Sequence, residues 1–244
     1  MHQCTVPAVP DDGWLAGRTL PHFFGIRLGN VVEIRGADAG HLARSRRARP
    51  GETVAVIDPS GLLLTVVIES VAPELVVGRI VSEVEHRSEP RARITLALAM
   101  LPAAVLDPAL ARATECGAAG FVLVAAERSV ARGAKPERWA TICRESAMLA
   151  GRLVIPRLRG PMPFAQAWAE AESPHLLDPR APKRLAALEV PADVTLFIGP
   201  EGGWSQAEVA IACERRLSLG PRNLRSETAA LTALAVALAA RGDI

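Results

Sequence analysis

Cysteine is scarce in this chain, lysine scarcer, and no apolar run is long. The four cysteines (Cys4, Cys116, Cys143, Cys213) are scattered, with no CxxC and no histidine at ligand spacing. That spacing argues against a zinc site and against a disulfide framework, and it fits a reducing compartment. No apolar stretch follows positive charges near the N-terminus, so no signal peptide is read there. The most apolar segment, Thr228 to Ala240, is too short and too rich in alanine to span a bilayer. A cytoplasmic protein with no membrane partner and no metal is the expectation. Polar low-complexity tracts are also missing, and half of the 244 residues are hydrophobic, so the whole chain reads as globular.

Net charge is only +2, which by itself points to no nucleic-acid partner. The distribution says more. Of the 28 basic residues only Lys135 and Lys183 are lysine, and His41, Arg44, Arg46, Arg47 and Arg49 cluster between residues 41 and 50 without an acid. Such a run is either a solvated turn or a patch that contacts phosphates, since clustered guanidinium groups pair with phosphate bidentately.

Two regimes of patterning follow each other. Val31 to Ile34, Thr53 to Ile57, Leu62 to Glu69 and Leu75 to Val81 are β-branched runs punctuated by turn signals, among them Asp58-Pro59-Ser60-Gly61. They predict a small β-barrel or sandwich over residues 1–88. Glu85 to Arg93 is polar and predicts a linker. From 92 to 244 strands and helices alternate, which predicts a largely parallel sheet covered on both faces. The expected elements are a strand at Ile94–Met100, a helix at Asp107–Cys116 capped by Asp107-Pro108, a strand at Phe121–Ala125, a helix at Pro136–Ala150 and a short strand at Leu176-Leu177. A helix from Gln206 to Arg216 carries a capping box (Ser205, Glu208), a Trp204–Val209 staple, and Arg215 and Arg216 at its C-terminal dipole. Ser226 is read as the cap of the last helix, with Glu227 in its first turn.

Two loops in this half carry the chemistry. Gly199-Pro200-Glu201-Gly202-Gly203 follows one strand, and Leu219-Gly220-Pro221-Arg222-Asn223-Leu224-Arg225 follows another. Glycines at strand-to-helix junctions let a ligand lie directly against the backbone. The spelling is not GxGxxG, so a dinucleotide fold has weak support. Arg225 can pair with a carboxylate or hold an anionic, enolate-like substrate. His22 and His175 stand alone, and Trp139 and Trp204 read as packing residues.

Phe197-Ile198-Gly199-Pro200-Glu201-Gly202-Gly203-Trp204-Ser205, with Leu219-Gly220-Pro221-Arg222-Asn223-Leu224-Arg225-Ser226-Glu227-Thr228-Ala229, closely resembles the RsmE family. Ala113 to Gly117, Glu127 to Val130, Arg138-Trp139, His41-Leu42, Arg47 and Gly51-Glu52 support the likeness. The family comprises SPOUT-class methyltransferases that use S-adenosyl-L-methionine to methylate N3 of a uridine in 16S rRNA of the small ribosomal subunit. The resemblance implies an α/β fold with a trefoil-knotted parallel-sheet domain, preceded by a PUA-like β-barrel that helps hold RNA through His41, Arg44, Arg46, Arg47 and Arg49. It also implies a homodimer, with Leu177, Ile198, Gly199, Gly202, Leu219, Gly220 and Leu224 lining the cofactor pocket. Arg225 and Glu227 would face the base, and Glu201 or Glu227 would accept the N3 proton. Asn223, Leu149-Ala150, Pro102-Ala103-Ala104, Arg112 and Ser45-Arg46 depart from the family spelling, and several of these changes remove polar groups from substrate-side positions. Two alternatives stay open at this stage: a SPOUT enzyme acting on transfer RNA or 23S rRNA, and a cofactor- or RNA-binding homologue without catalysis.

Overall fold

A computed structural model describes residues 20–131 and 133–244; Cys4 lies outside them. The chain divides into two compact units, one ending at Ser88 and the other running from Glu89 to Ile244.

Six strands build the first unit: β1 (His22–Phe24), β2 (Ile26–Leu28), β3 (Val31–Arg35), β4 (Thr53–Asp58), β5 (Leu62–Val71) and β6 (Leu75–Glu85). They pair in the order β1-β4-β5-β6-β3-β2; β1 runs parallel to β4 and every other pair is antiparallel. Alternation along the strands turns Val32, Ile34, Val54, Val56, Leu64, Val66 and Ile68 inward. The Asp58–Gly61 turn closes as its sequence predicts, with Gly61 at φ 91° and its amide donating to the Asp58 carbonyl. Between β3 and β4, helix α1 (Gly36–Gly40) continues into a π-helical turn, His41–Arg46.

The second unit contains β7 (Arg93–Ala99), α2 (Ala103–Glu115), β8 (Gly120–Ala125), α3 (Pro136–Leu149), β9 (Arg157–Pro163), α4 (Phe164–Ala169), β10 (Pro174–Leu177), β11 (Asp193–Ile198), α5 (Gln206–Ala212), β12 (Arg216–Leu217) and α6 (Ser226–Arg241). All six strands are parallel, ordered β12-β10-β11-β7-β8-β9. Side chains of β7 alternate between the two faces. Ile94, Leu96 and Leu98 pack with α2, α3 and α6, whereas Ala97 and Ala99 pack with Phe164 of α4 and Ala212 of α5. The expected doubly covered parallel sheet is present.

Several local expectations are corrected. Helix α2 begins one turn before Asp107, at Ala103, so Pro108 lies inside the helix and Asp107 is no cap. The Pro102 carbonyl accepts from the amides of Val105 and Leu106 and starts the helix there, while the Asp107 carboxylate receives Arg138 at 2.5 and 2.8 Å. Helix α5 stops at Ala212, because Cys213 turns to φ 49°. Arg216 therefore belongs to β12, and neither Arg215 nor Arg216 sits at a helix dipole. Edge strand β9 and helix α4 escape the sequence reading, since Arg157-Leu158-Arg159-Gly160-Pro161-Met162-Pro163 carries a glycine and two prolines that a strand tolerates only at an edge.

The polar segment before β7 is pinned. Arg152, 3% exposed, donates to both oxygens of Glu89 (3.3 and 2.5 Å) and to the carbonyls of Thr114 and Ala118. The Asp243 carboxylate accepts the amides of Arg91 and Ala92. Removing Glu89 would strand a buried guanidinium. Glu89→Ala is expected to cost about 3 kcal/mol, and thermal unfolding should show a melting temperature lower by roughly 6–12 °C.

Candidate active site

Strands β10, β11 and β12 end at Leu177, Ile198 and Leu217, and the chain turns outward at the same edge of the sheet. Ligands of parallel α/β sheets bind outside the carboxyl ends of the strands. A cavity of about 570 Å³ opens there. All seven residues expected to hold a cofactor line it: Leu177, Ile198, Gly199, Gly202, Leu219, Gly220 and Leu224. Glu201 and Arg225 line it too. Glu227 does not; it is half-buried in the first turn of α6, and its Oε2 has no hydrogen-bond partner among the described residues.

Hydrogen bonds hold the wall in place. The Gly203 amide donates to the Pro200 carbonyl at 2.8 Å and closes the glycine loop. The capping box of α5 is complete: the Ser205 amide donates to Glu208 Oε2 and the Glu208 amide to Ser205 Oγ. The other oxygen of that buried carboxylate accepts the Glu127 amide at 2.9 Å, so the loop after β8 is tied to the same turn. Trp204 packs with Val209 in one apolar cluster, as the staple requires, and its indole Nε1 donates to the Leu177 carbonyl at 3.0 Å. One side chain thereby links the ends of β10 and β11.

The expected role of Ser226 changes. Arg225 occupies the cap position without a side-chain cap bond, and Ser226 is the first helical residue. Its buried hydroxyl donates to the Gly199 carbonyl at 2.7 Å and joins the two loops across the cavity. A hydrogen bond of this kind contributes about 1 kcal/mol. Ser226→Ala is expected to weaken ligand binding in the cavity about fivefold and Ser226→Thr to preserve it; calorimetric titration distinguishes the two.

The second loop is left open. Among the described residues, the amides of Gly220, Asn223 and Leu224 have no acceptor within the protein. Gly220 stands at φ 106° with open space where a Cβ would point, a conformation that favours glycine. Free amides beside a side-chain-less position can receive hydroxyl, carboxylate or ring-nitrogen acceptors.

Three arginines and one carboxylate on the cavity wall received no site role from the sequence: Arg128, Arg180, Arg222 and Asp178. Asp178 is 2% exposed. Its carboxylate accepts the Arg180 amide and Nε at 3.0 and 3.1 Å and Arg216 Nη1 at 3.4 Å. Burial alone would raise its pKa, but the hydrogen bonds from Arg180 and the charges of Arg180 and Arg216 outweigh burial and leave it below the ordinary carboxylate value. Arg128 donates to the Gly202 carbonyl at 3.0 Å. Its place in Glu127-Arg128-Ser129-Val130 was the only signal available for it. Asp178-Pro179-Arg180 carries none, since an Asp and an Arg two residues apart are common in any loop. His175 is also partnered, its Nδ1 lying 3.0 Å from the Ser173 carbonyl, and burial lowers its pKa.

The basic run lies in the first unit, on the π-helical turn and the residues after it. His41, Arg44, Arg46, Arg47 and Arg49 are all exposed there, and the turn ends at Arg47 in the left-handed region, φ 52°. The His41 ring lies 6.2 Å from that of Phe23.

A family model for an RNA methyltransferase domain matches residues 87–238. The ribosomal RNA small subunit methyltransferase E of Mycobacterium tuberculosis is 31% identical over 227 residues, which cover 84% of this chain and 85% of that protein. The chain belongs to the RsmE family.

Solved structures agree. A Legionella pneumophila protein described as a methyltransferase, determined with bound SAM, shares 30% identity at a TM-score of 0.82, covering 91% of this chain and 98% of that one. An RsmE from Neisseria gonorrhoeae bound to S-adenosyl methionine shares 26% identity at a TM-score of 0.80, covering 88% and 95%. The likeness to RsmE proteins therefore extends well beyond the loops that first suggested it.

Proposed function

We propose that this RsmE-family protein is a cytoplasmic enzyme that transfers a methyl group from S-adenosyl-L-methionine to N3 of a uridine in 16S rRNA of the small ribosomal subunit. The observation that carries the reading is the single cavity walled by both glycine-bearing loops, with Arg225 and Glu201 on the same wall. The residues fit the cofactor. Free loop amides, a left-handed glycine and apolar Leu177, Ile198, Leu219 and Leu224 suit an adenosyl group held mainly by backbone. When bound, S-adenosylmethionine supplies an electrophilic methyl on its sulfonium.

The chain's own residues then have two tasks. Uracil N3 must lose its proton before it can attack the methyl carbon in line, with the carbon–sulfur bond breaking as the nitrogen–carbon bond forms. Arg225 stabilises the negative charge that spreads onto the uracil oxygens. Glu201 or Glu227 accepts the proton, directly or through water. Exposure on the cavity wall favours Glu201 over the half-buried Glu227.

The finer architecture belongs to the same proposal. Residues 20–88, the described part of the expected 1–88 domain, form a PUA-like barrel that uses His41, Arg44, Arg46, Arg47 and Arg49 on RNA phosphates. Residues 92–244 form a SPOUT domain with a trefoil knot, and two copies associate as a homodimer. The mixed β unit, the parallel sheet and the exposed arginines support this reading.

Primer extension across 16S rRNA tests it, after the protein has been incubated with unmethylated small subunits with and without S-adenosylmethionine. N3-methylation blocks the Watson–Crick edge, so a cofactor-dependent stop at one uridine is expected. Full-length extension in both lanes, with cofactor binding verified in parallel, would overturn the assigned reaction.

A further inference from the structure

Arginine dominates the charge on the cavity wall, beyond the one that a cofactor carboxylate could occupy. Arg128, Arg180, Arg222 and Arg225 line it. Its carboxylates are Glu201 and Asp178, the latter committed to Arg180 and Arg216. Two of the four arginines are set in place before any ligand arrives. Arg180 is held through its amide, Nε and Nη2 by the buried Asp178 carboxylate, yet its side chain is 74% exposed, so the rest of its guanidinium faces outward. Exposed Arg128 is fastened through Nη1 to the Gly202 carbonyl, with its stem against the glycine where a Cβ would stand 3.4 Å from Arg128 Cβ.

Their placement follows from sheet order. Arg180 leaves the end of β10 and Arg128 the loop after β8, and between these strands lie β11, whose end is the glycine loop, and β7. Three strand intervals separate the ends of β8 and β10, about 14 Å. The cofactor wall is glycine backbone and apolar side chains, so outward guanidiniums on its two flanks have no task in holding an adenosyl group. A strand of phosphates crossing the mouth matches them. A guanidinium held in one geometry loses less conformational freedom on binding phosphate than a free one, and its remaining N–H groups can pair with phosphate oxygens.

We propose that Arg128 and Arg180 grip the phosphodiester backbone of the substrate RNA on the two sides of the target nucleotide, and that Asp178 is the positioning residue for Arg180. The assignment rests on the reading of the cavity as the methyl-transfer site.

The test uses the full chain with saturating S-adenosylmethionine and compares wild type with Arg128→Ala, Arg180→Ala and the double variant. Binding of 16S rRNA is titrated across several salt concentrations. Each neutralised phosphate contributes about 0.7 to the slope of log K against log salt on single strands, so each single variant should lose about 0.7 and the double about 1.4. KM for RNA should rise about tenfold per arginine with kcat little changed. Cofactor affinity, titrated without RNA, should stay at the wild-type value in Arg180→Ala; Arg128→Ala also loses its bond to the Gly202 carbonyl, so it is judged by its salt slope. Asp178→Asn should reproduce the KM effect of Arg180→Ala and add nothing to it when the two are combined. Arg180→Ala leaves the buried Asp178 carboxylate its bonds to the residue-180 amide and to Arg216, so its result stands even if Asp178→Asn folds poorly. An unchanged salt slope, or weakened cofactor binding at an unchanged slope, would overturn the assignment; the second result would make these arginines cofactor ligands. A wild-type protein that binds RNA and loses slope in the variants, yet transfers no methyl, supports the grip while overturning the proposed reaction.

Discussion

Arg225→Ala is expected to lower turnover by two to three orders of magnitude, about 3–4 kcal/mol of transition-state stabilisation, while cofactor affinity stays close to wild type. Arg225 lies on the cavity wall immediately before α6, and among the described residues its guanidinium has no ion pair or hydrogen bond. An arginine recruited for stability would have a carboxylate beside it. This one is exposed and uncommitted, so it is available to charge that develops on a bound base, and it contributes little to holding the loops together. Single-turnover methylation of small subunits, with calorimetric titration of the cofactor, separates the two quantities. Wild-type single-turnover rates in the variant would remove Arg225 from the chemistry. Lysine at this position should recover only part of the rate, since it keeps the charge but loses the planar fork.

Gly199→Val should weaken cofactor binding by a different route. A Cβ at Gly199 would lie 3.0 Å from Trp204 Cε2 and 3.1 Å from its Nε1, tighter than the ring can accept without moving. That ring is buried, packs edge-on against Phe164 with centroids 5.2 Å apart, and donates to the Leu177 carbonyl. The carbonyl of Gly199 itself receives Ser226. Displacing the indole therefore disturbs the ends of β10 and β11 and the latch to α6 together. Overpacking of this kind costs about 1–3 kcal/mol. Because the disturbance falls on the cavity wall, cofactor affinity should drop at least about tenfold. Gly202→Ala is the control. Its Cβ would approach Arg128 Cβ at 3.4 Å, an ordinary contact, and the variant should bind within about twofold of wild type. Equal losses in both variants would mean that the glycines serve loop flexibility rather than the room the indole needs.

Legibility in the sequence followed the range of the interaction. Periodicity of two and turn chemistry are local, so β3 to β6, the Asp58–Gly61 turn and the alternation of the second unit were readable, whereas the three-residue strands β1 and β2 are too short to show a period. The capping box of α5 is local as well, and Ser205 and Glu208 formed it as read. Expectations failed where a distant group overrode a local preference. Asp107-Pro108 spells a helix start, yet packing of Leu106 into the core extends α2 one turn upstream and gives Asp107 to Arg138, 31 residues away. Ser226 spells a cap, but the Gly199 carbonyl 27 residues earlier takes its hydroxyl.

For the site, the two loops, their glycines and, through the resemblance they carry, the family and the chemistry to expect could all be read from the residues alone. Backbone-lined ligand sites are legible in this way because a position that tolerates no side chain must be spelled glycine. Folding brings all seven wall residues to one cavity, sets Glu201 on it while Glu227 stands back, and adds Arg128, Asp178 and Arg180 to its lining. Those residues come from the ends of strands far apart in sequence, and sheet order, which no local pattern encodes, is what brings them together.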